Sequence, residues 1–232
     1  MNEAIILAGG FGTRLRSVVS DLPKPMAPVA GKPFLEYLLT RLAKQHYTHV
    51  VLSTGYLHET IEQHFGSCFE GIELSYAVED TPLGTGGAIV NALQHCKADD
   101  VSVLNGDTLF DIDLMHLRQF RSHHNTPLAI VLRQVDDARR YGTVQTDANG
   151  RIVAFCEKKE TLCSGLINGG IYQISRSLLS SYPVGTPFSF ERDVMQQLYS
   201  EIPVYAYIDN AYFIDIGIPE DYLRAQKELP LL

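Results

Sequence analysis

A glycine-rich loop, Leu7-Ala8-Gly9-Gly10-Phe11-Gly12-Thr13-Arg14-Leu15, follows the first apolar run of the chain, Ala4 to Leu7. Glycines tolerate positive φ and let backbone N–H groups converge on an anion without a Cβ in the way, which is phosphate-cradling chemistry. No Gly-Lys-Ser/Thr follows, so the loop is not a P-loop, and Leu15 stands where a dinucleotide fingerprint needs its third glycine. In the first 32 residues Arg14, Arg16, Lys24 and Lys32 stand against only Glu3 and Asp21, a basic segment in a chain of net charge −8. In Pro23-Lys24-Pro25 each proline fixes its own φ. Pro25 biases Lys24 toward extended backbone, so its ammonium is expected on a stiff, strand-like frame.

Three further constellations carry chemistry. Glu79-Asp80-Thr81-Pro82-Leu83-Gly84-Thr85-Gly86-Gly87 opens a helix expected from Ala88, and glycines at a helix N-terminus suit an anion or a closely approaching ligand. The Glu79 carboxylate can accept two hydrogen bonds at once, so were a base to lie here guanine, with its N1–H and N2–H₂ donors, would suit it better than uracil or thymine with a single N3–H. Asn105-Gly106-Asp107 ends the apolar run Val101 to Leu104. Asp215 likewise ends an apolar stretch before a turn. Two such carboxylates suit Mg²⁺, which takes one or two of them together with substrate phosphates and waters. Asp111 and Asp113 read as caps for a helix beginning near Leu114.

These residues must be positioned by strands and helices, and the chain alternates between the two. Val50 to Leu52, Leu74 to Val78 and Val101 to Leu104 are short apolar runs bounded by turn residues. Phe34 to Leu42, Leu57 to Phe65 and Ala88 to Leu93 carry helical periodicity, with Pro33 suited to a first turn. The rhythm predicts an α/β domain with a largely parallel sheet and ligands at the carboxyl ends of its strands. After about residue 127 the pattern changes. Thr143 to Thr146, Asp147-Ala148-Asn149-Gly150 and Ile152 to Phe155 read as a hairpin, so the second half is expected to add antiparallel strands to a single domain. Phe188 and Phe190 are open as core or as an interface between copies, which leaves a homo-oligomer open.

Composition excludes several classes. Hydrophobic residues at 45% and charged residues at 20% are typical of a globular protein. The acidic balance disfavours nucleic acid or an anionic membrane as partner. No apolar run is long enough to span a bilayer and no signal-peptide layout opens the chain, so a cytoplasmic protein is expected. Cys68, Cys96, Cys156 and Cys163 fall at no CxxC or zinc spacing, and reduced thiols are expected. There is no HExxH pair among the eight histidines.

Gly9-Gly10-x-Gly12-Thr13-Arg14-Leu15 followed by Pro23-Lys24-Pro25-Met26-x-Pro28-Val29 resembles the signature of the sugar-1-phosphate nucleotidyltransferase family, the NDP-sugar pyrophosphorylases. The likeness runs from about residue 3 to Tyr222. It implies a Rossmann-like fold with a mixed, mainly parallel sheet, a small antiparallel sugar-binding insertion, and no room for the C-terminal β-helix of longer relatives. Residues up to about 126 would mainly bind the nucleotide, and those from about 127 to 232 the sugar phosphate. By the same likeness Leu7, Ala8, Gly9, Gly10, Gly12 and Thr13 wrap a nucleoside triphosphate. Arg14 sits on its triphosphate and Lys24 on the reacting phosphates. Glu79, Pro82, Gly84 and Thr85 lie along base and ribose, while Asp107 and Asp215 hold magnesium. On the acceptor side Glu157 and Asn168 bond sugar hydroxyls, Tyr141, Gly142 and Gly170 line the sugar, and Lys158 grips the acceptor phosphate, although many members read Glu-Lys-Pro where this chain has Glu157-Lys158-Lys159. Arg139 and Arg140 are further phosphate candidates, with surface charge the preferred reading of both.

Pro82 to Gly87, Leu166 to Gly170 and Asp215 to Tyr222 look most like the branch that guanylylates a heptose 1-phosphate. The expected reaction is transfer of a nucleoside monophosphate, GTP favoured, to a sugar 1-phosphate. Mannose 1-phosphate, or a uridylyl or thymidylyl transfer, is the alternative. A non-catalytic nucleotide-sugar sensor would keep the loops and lose Asp107 and Asp215.

Overall fold

The computed structural model describes residues 2–10, 22–158 and 160–232. In chain order the elements are β1 (Glu3–Leu7), β2 (Pro28–Val29), β3 (Lys32–Pro33), α1 (Phe34–Lys44), β4 (His49–Thr54), α2 (His58–Phe65), β5 (Cys68–Phe69), β6 (Ile72–Val78) and α3 (Gly84–Leu93). They continue as β7 (Asp100–Asn105), β8 (Thr108–Phe110), α4 (Leu114–His123), β9 (Leu128–Val135), β10 (Thr143–Thr146), β11 (Ile152–Cys156) and β12 (Gly165–Ser175). A π-helical stretch, Phe190–Met195, then runs into α5 (Gln196–Glu201), followed by β13 (Tyr205–Asp209), β14 (Phe213–Asp215) and α6 (Pro219–Glu228).

Among the described residues ten strands form one sheet, in the order β11-β10-β12-β7-β1-β4-β6-β5, with β9 beside β12 and β13 beside β9. β7, β1, β4 and β6 are parallel, as the alternation of apolar runs and helices requires. The expected hairpin is present as β10 and β11, and with β12 it continues the sheet in antiparallel fashion. β1, β4 and β7 are buried on both faces. Ala4, Ile6, Val50 and Leu52 point to a core shared with Phe34, Leu35, Leu38, Leu39 and Leu42 of α1, and Ile5, Val51 and Val103 to one shared with Ile89, Val90 and Leu93 of α3. This two-sided burial explains why these strands read as continuous apolar runs. Each fully buried Leu, Ile or Phe contributes roughly 1.5–3 kcal/mol. Phe190 belongs to the second core. The four cysteines are free thiols.

Local structure departs from expectation in three places. Helix α3 begins at Gly84 instead of Ala88, so its glycines lie within the first turn. A Cβ at Gly86 would come within 2.1 Å of the Phe188 ring, and one at Gly87 within 2.5 Å of the Thr186 carbonyl oxygen. Glycine is thus required there by close packing of the 186–188 segment. Lys24 opens a 3₁₀ turn, Lys24–Met26, instead of lying on an extended frame. The Met26 N–H donates to the Pro23 carbonyl (2.8 Å) and the Ala27 N–H to the Lys24 carbonyl (3.0 Å), and these bonds outweigh the bias from Pro25. Asp113 caps α4 as expected, accepting from the N–H groups of Met115 and His116, but Asp111 caps nothing and pairs with Arg41 of α1.

Candidate active site

The carboxyl ends of β1, β4, β6 and β7 open onto a cavity of about 350 Å³. Its walls bring together Leu7, Gly9, Gly10, Lys24, Glu79, Pro82, Gly84, Thr85 and Asp107, residues drawn from four separate motifs. Ala8 lies behind the wall, buried, with its N–H on the Ser53 carbonyl (2.7 Å). Gly12, Thr13 and Arg14 lie outside the described residues. Pro25, Ser53, Ala88, Asn105 and Gly106 also line the cavity. Of these Asn105 and Gly106 carried a signal as neighbours of Asp107, and Pro25 as a neighbour of Lys24.

Glu79 follows β6 and is held by two bonds. Ser53 Oγ donates to its Oε1 (3.2 Å) and the Leu83 N–H to its Oε2 (2.9 Å). Each carboxylate oxygen retains a further lone pair, so Glu79 is oriented without being saturated.

Asp107 and Asp215 come from distant parts of the chain and meet because β8 pairs with β14, placing Thr108 opposite Asp215. The Ile216 N–H donates to the Asp107 carbonyl (3.0 Å), and the Gly217 N–H to Asp215 Oδ1 (2.7 Å). The Lys24 ammonium, its side chain only 10% exposed, bonds Asp107 Oδ2 and lies 4.0 Å from Asp215 Oδ1. Burial, and next the charge of Asp107, push the Asp215 carboxyl above the usual carboxylate range, against the pull of Lys24. Among the described residues no group of three or more His, Cys, Asp or Glu side chains converges on one point. Two carboxylates that draw a cation between them fit the donor set of a Mg²⁺ ion completed by substrate phosphates and water.

Beyond Asp215 a second cavity, of about 310 Å³, is lined by Arg133, Arg140, Tyr141, Phe213 and Arg224 among others. The carboxylate pair thus stands between two cavities. Gly142, Glu157, Lys158, Asn168 and Gly170 line neither. Glu157 and Lys158 are exposed beyond β11, while Asn168 on β12 accepts from the Gly170 N–H (2.9 Å). Arg139 pairs with the exposed Asp137, and Arg140 with Asp221 at 2.7 Å.

Gly106 sets the approach of Asp107. Its N–H bonds the Leu7 carbonyl oxygen (3.0 Å), and a Cβ there would sit 2.6 Å from that same atom. Backbone cannot yield as a side chain does. Gly106→Ala is therefore expected to cost about 1–3 kcal/mol, a drop of roughly 2–4 °C in Tm for each kcal/mol, measured by thermal unfolding.

Gly9 and Gly10, an oriented carboxylate and a lysine beside two neighbouring aspartates thus come together where the parallel strands end. The family model described as "Nucleotidyl transferase" matches residues 3–230. The chain belongs to the nucleotidyl transferase family. It is 47% identical over 227 residues to the D-glycero-alpha-D-manno-heptose 1-phosphate guanylyltransferase of Aneurinibacillus thermoaerophilus, covering 98% of each chain. It is 39% identical to the mannose-1-phosphate guanylyltransferase of Mycobacterium tuberculosis, covering 98% of this chain and 64% of that one. The crystal structure of HddC from Yersinia pseudotuberculosis complexed with GMP-PN superposes with a TM-score of 0.86 at 37% identity, over 98% of this chain and 99% of that one. As a nucleotidyl transferase the chain is an enzyme, and among the described residues no helix is long and apolar enough to cross a membrane.

Proposed function

We propose that this transferase moves GMP from GTP to D-glycero-α-D-manno-heptose 1-phosphate, giving the GDP-sugar and pyrophosphate. The observation that carries the reaction type is the Lys24–Asp107–Asp215 cluster between a glycine-lined cavity and an arginine- and tyrosine-lined one. The choice of heptose and of guanine is supported by likeness to a heptose 1-phosphate guanylyltransferase across 98% of both chains. It is supported too by the orientation of Glu79, whose free lone pairs suit the two donors of guanine.

In the reaction an oxygen of the sugar 1-phosphate attacks the α-phosphorus of GTP. The bond from that phosphorus to the β-phosphate bridging oxygen breaks, and pyrophosphate leaves with the electron pair. No protein nucleophile is needed, so positioning and electrostatics do the work. Lys24, beside both aspartates, neutralises charge developing on the α-phosphate. Arg14 and the Leu7 to Thr13 loop hold the triphosphate, and Glu79, Pro82, Gly84 and Thr85 the nucleoside. Lys158 holds the attacking phosphate against repulsion, with Tyr141, Gly142, Glu157, Asn168 and Gly170 around the sugar. Asp107 and Asp215 would hold Mg²⁺, which when bound offsets phosphate charge and polarises the α-phosphate. The division of labour follows the sheet, residues to about 126 serving the nucleotide and those from about 127 the acceptor.

Pyrophosphate release should be measured with GTP, ATP, UTP and dTTP, each against D-glycero-α-D-manno-heptose 1-phosphate, mannose 1-phosphate and glucose 1-phosphate. GTP with the heptose is expected to exceed every other pair in kcat/KM by about tenfold or more, since discrimination of that size needs only one or two well-placed contacts. A higher kcat/KM with mannose 1-phosphate would overturn the heptose assignment. A preference for UTP or dTTP would overturn the role of Glu79.

A further inference from the structure

The two strands that bring Asp107 and Asp215 together are three residues each, and a two-stranded ribbon of that length does not hold its shape alone. β8 and β14 are tied at one end by the Ile216 N–H on the Asp107 carbonyl (3.0 Å) and at the other by the Asp111 N–H on the Tyr212 carbonyl (2.9 Å). Between these ends Phe110 stands directly opposite Phe213, and their rings meet edge-on with centroids 5.3 Å apart. Arg133, half-buried on β9, lies over both rings, its guanidinium carbon 5.8 Å from the Phe110 centroid and 5.7 Å from that of Phe213. The same guanidinium donates from Nη1 to the Ala211 carbonyl, two residues before Phe213. Ala211 is held on its amide side as well, its N–H donating to Asp209 Oδ1 (2.8 Å).

Side chains two apart on a strand share a face. Phe213 and Asp215 therefore point the same way, and with Arg133 they line the second cavity. Phe110 is also packed against β12, where a Cβ at Gly169 would stand 2.6 Å from its Cδ1. The middle glycine of Asn168-Gly169-Gly170 thus has a packing reason, and the Phe110 ring has no room to shift in that direction. A planar guanidinium can stack on aromatic faces while its N–H groups donate in its own plane, a combination that a lysine ammonium does not match. Arg140 and Arg224, in the same cavity, are tied to Asp221, whereas Arg133 bridges β8, β14 and the turn that leads into β14.

We infer that Arg133 is a positioning residue for the Asp107–Asp215 pair: by holding Phe110, Phe213 and Ala211 together it fixes the ribbon whose other end sets the spacing of the two carboxylates. That role rests on the proposed assignment of both carboxylates to Mg²⁺. Arg133 acts through the strands and not on the reacting atoms. Groups that orient metal ligands from outside act on metal affinity, so its effect belongs to how strongly metal and nucleotide favour each other's binding.

The test is isothermal titration of the full chain with an α,β-methylene analogue of GTP, which cannot transfer its nucleotidyl group, once in EDTA and once with saturating Mg²⁺. In the wild type Mg²⁺ is expected to tighten the analogue about tenfold or more, within the usual range of coupling. Arg133→Met keeps the apolar stem and removes the planar cation. It should bind the analogue in EDTA within about twofold of wild type, while the Mg²⁺ factor falls about threefold or more. Phe213→Leu should lower the same factor. The double variant should then fall no further than the weaker single one, within about twofold, because both substitutions break one contact. Arg133→Lys, which keeps a cation over the rings, should restore part of the factor lost in Arg133→Met. A purely structural role would lower Tm, or weaken the analogue alike in EDTA and in Mg²⁺, and leave the factor intact. An undiminished factor in Arg133→Met, or losses that multiply in the double variant, would overturn the positioning role and leave the proposed function standing. A wild type whose affinity Mg²⁺ does not change would overturn the metal assignment and the positioning role with it.

Discussion

A Lys24→Met variant is expected to release pyrophosphate about 10²–10³-fold more slowly than the wild type at saturating substrates, the size of effect seen when one preorganised electrostatic donor is removed from a reacting centre. The ammonium lines the first cavity, bonded to Asp107 and 4.0 Å from Asp215, so under the proposed mechanism it faces the charge that develops on the α-phosphate. Methionine matches its length and apolar stem and removes only the charge. KM for GTP should rise far less than kcat falls, because charge that develops in the transition state is what Lys24 meets. Lys24→Arg should recover only part of the rate, since a planar guanidinium does not reproduce a compact point charge held against two carboxylates. The methionine variant should also have a lower Tm in EDTA, because it leaves Asp107 and Asp215 facing each other without the ammonium that lies between them. Steady-state kinetics within about fivefold of wild type would remove Lys24 from the reaction.

Much of this site is legible in the chain because its parts sit where local rules put them. Leu7, Val78 and Asn105 each end or flank an apolar run, and in a parallel sheet such ends share one edge. The loop at Gly9, the acid Glu79 and the acid Asp107 therefore had to converge. Asp215 ends β14 of a separate two-stranded sheet, and the antiparallel β8–β14 pairing brings it to Asp107. What resisted reading depends on contacts between segments far apart in sequence. The Arg41–Asp111 pair turned an expected helix cap into a tie between α1 and the approach to α4. Phe188 packing moved the start of α3 to Gly84, and the glycines there looked like an anion cradle because close packing and anion binding both demand a missing Cβ. Glu191 carries no local signal at all. It lies in a π-helical stretch that runs into α5, and its carboxylate takes the Thr85 hydroxyl from the first turn of α3. The acceptor role proposed for Glu157 and Lys158 rests on family likeness alone, since an exposed Glu-Lys pair after a strand has no distinguishing chemistry of its own.

Asp215→Asn separates stability from activity. The folded protein holds the Asp215 carboxyl above its ordinary pKa, through burial first and the neighbouring Asp107 charge second. A carboxyl whose pKa is raised on folding binds its proton more tightly in the folded state. Its ionised form therefore costs stability at neutral pH, and the cost disappears as pH falls below the ordinary carboxylate range. The amide of asparagine keeps an acceptor for the Gly217 N–H and removes the charge. In EDTA at pH 7 the variant should melt higher than the wild type, by roughly 2–4 °C for each kcal/mol relieved, and the gap should close as the pH approaches 4. Added Mg²⁺ with a non-transferable GTP analogue should reverse the order, because binding to the folded state alone raises Tm and the wild type retains both carboxylates. Activity should move opposite to metal-free stability. Loss of one of two metal carboxylates removes several kcal/mol of transition-state stabilisation, so pyrophosphate release should fall about 10²-fold or more. A variant that melted lower than wild type in EDTA would show that the Lys24 and Gly217 contacts outweigh burial and the Asp107 charge. One that melted higher and kept its activity would show that Asp215 is dispensable to the metal, and the assignment of the carboxylate pair would fall with it.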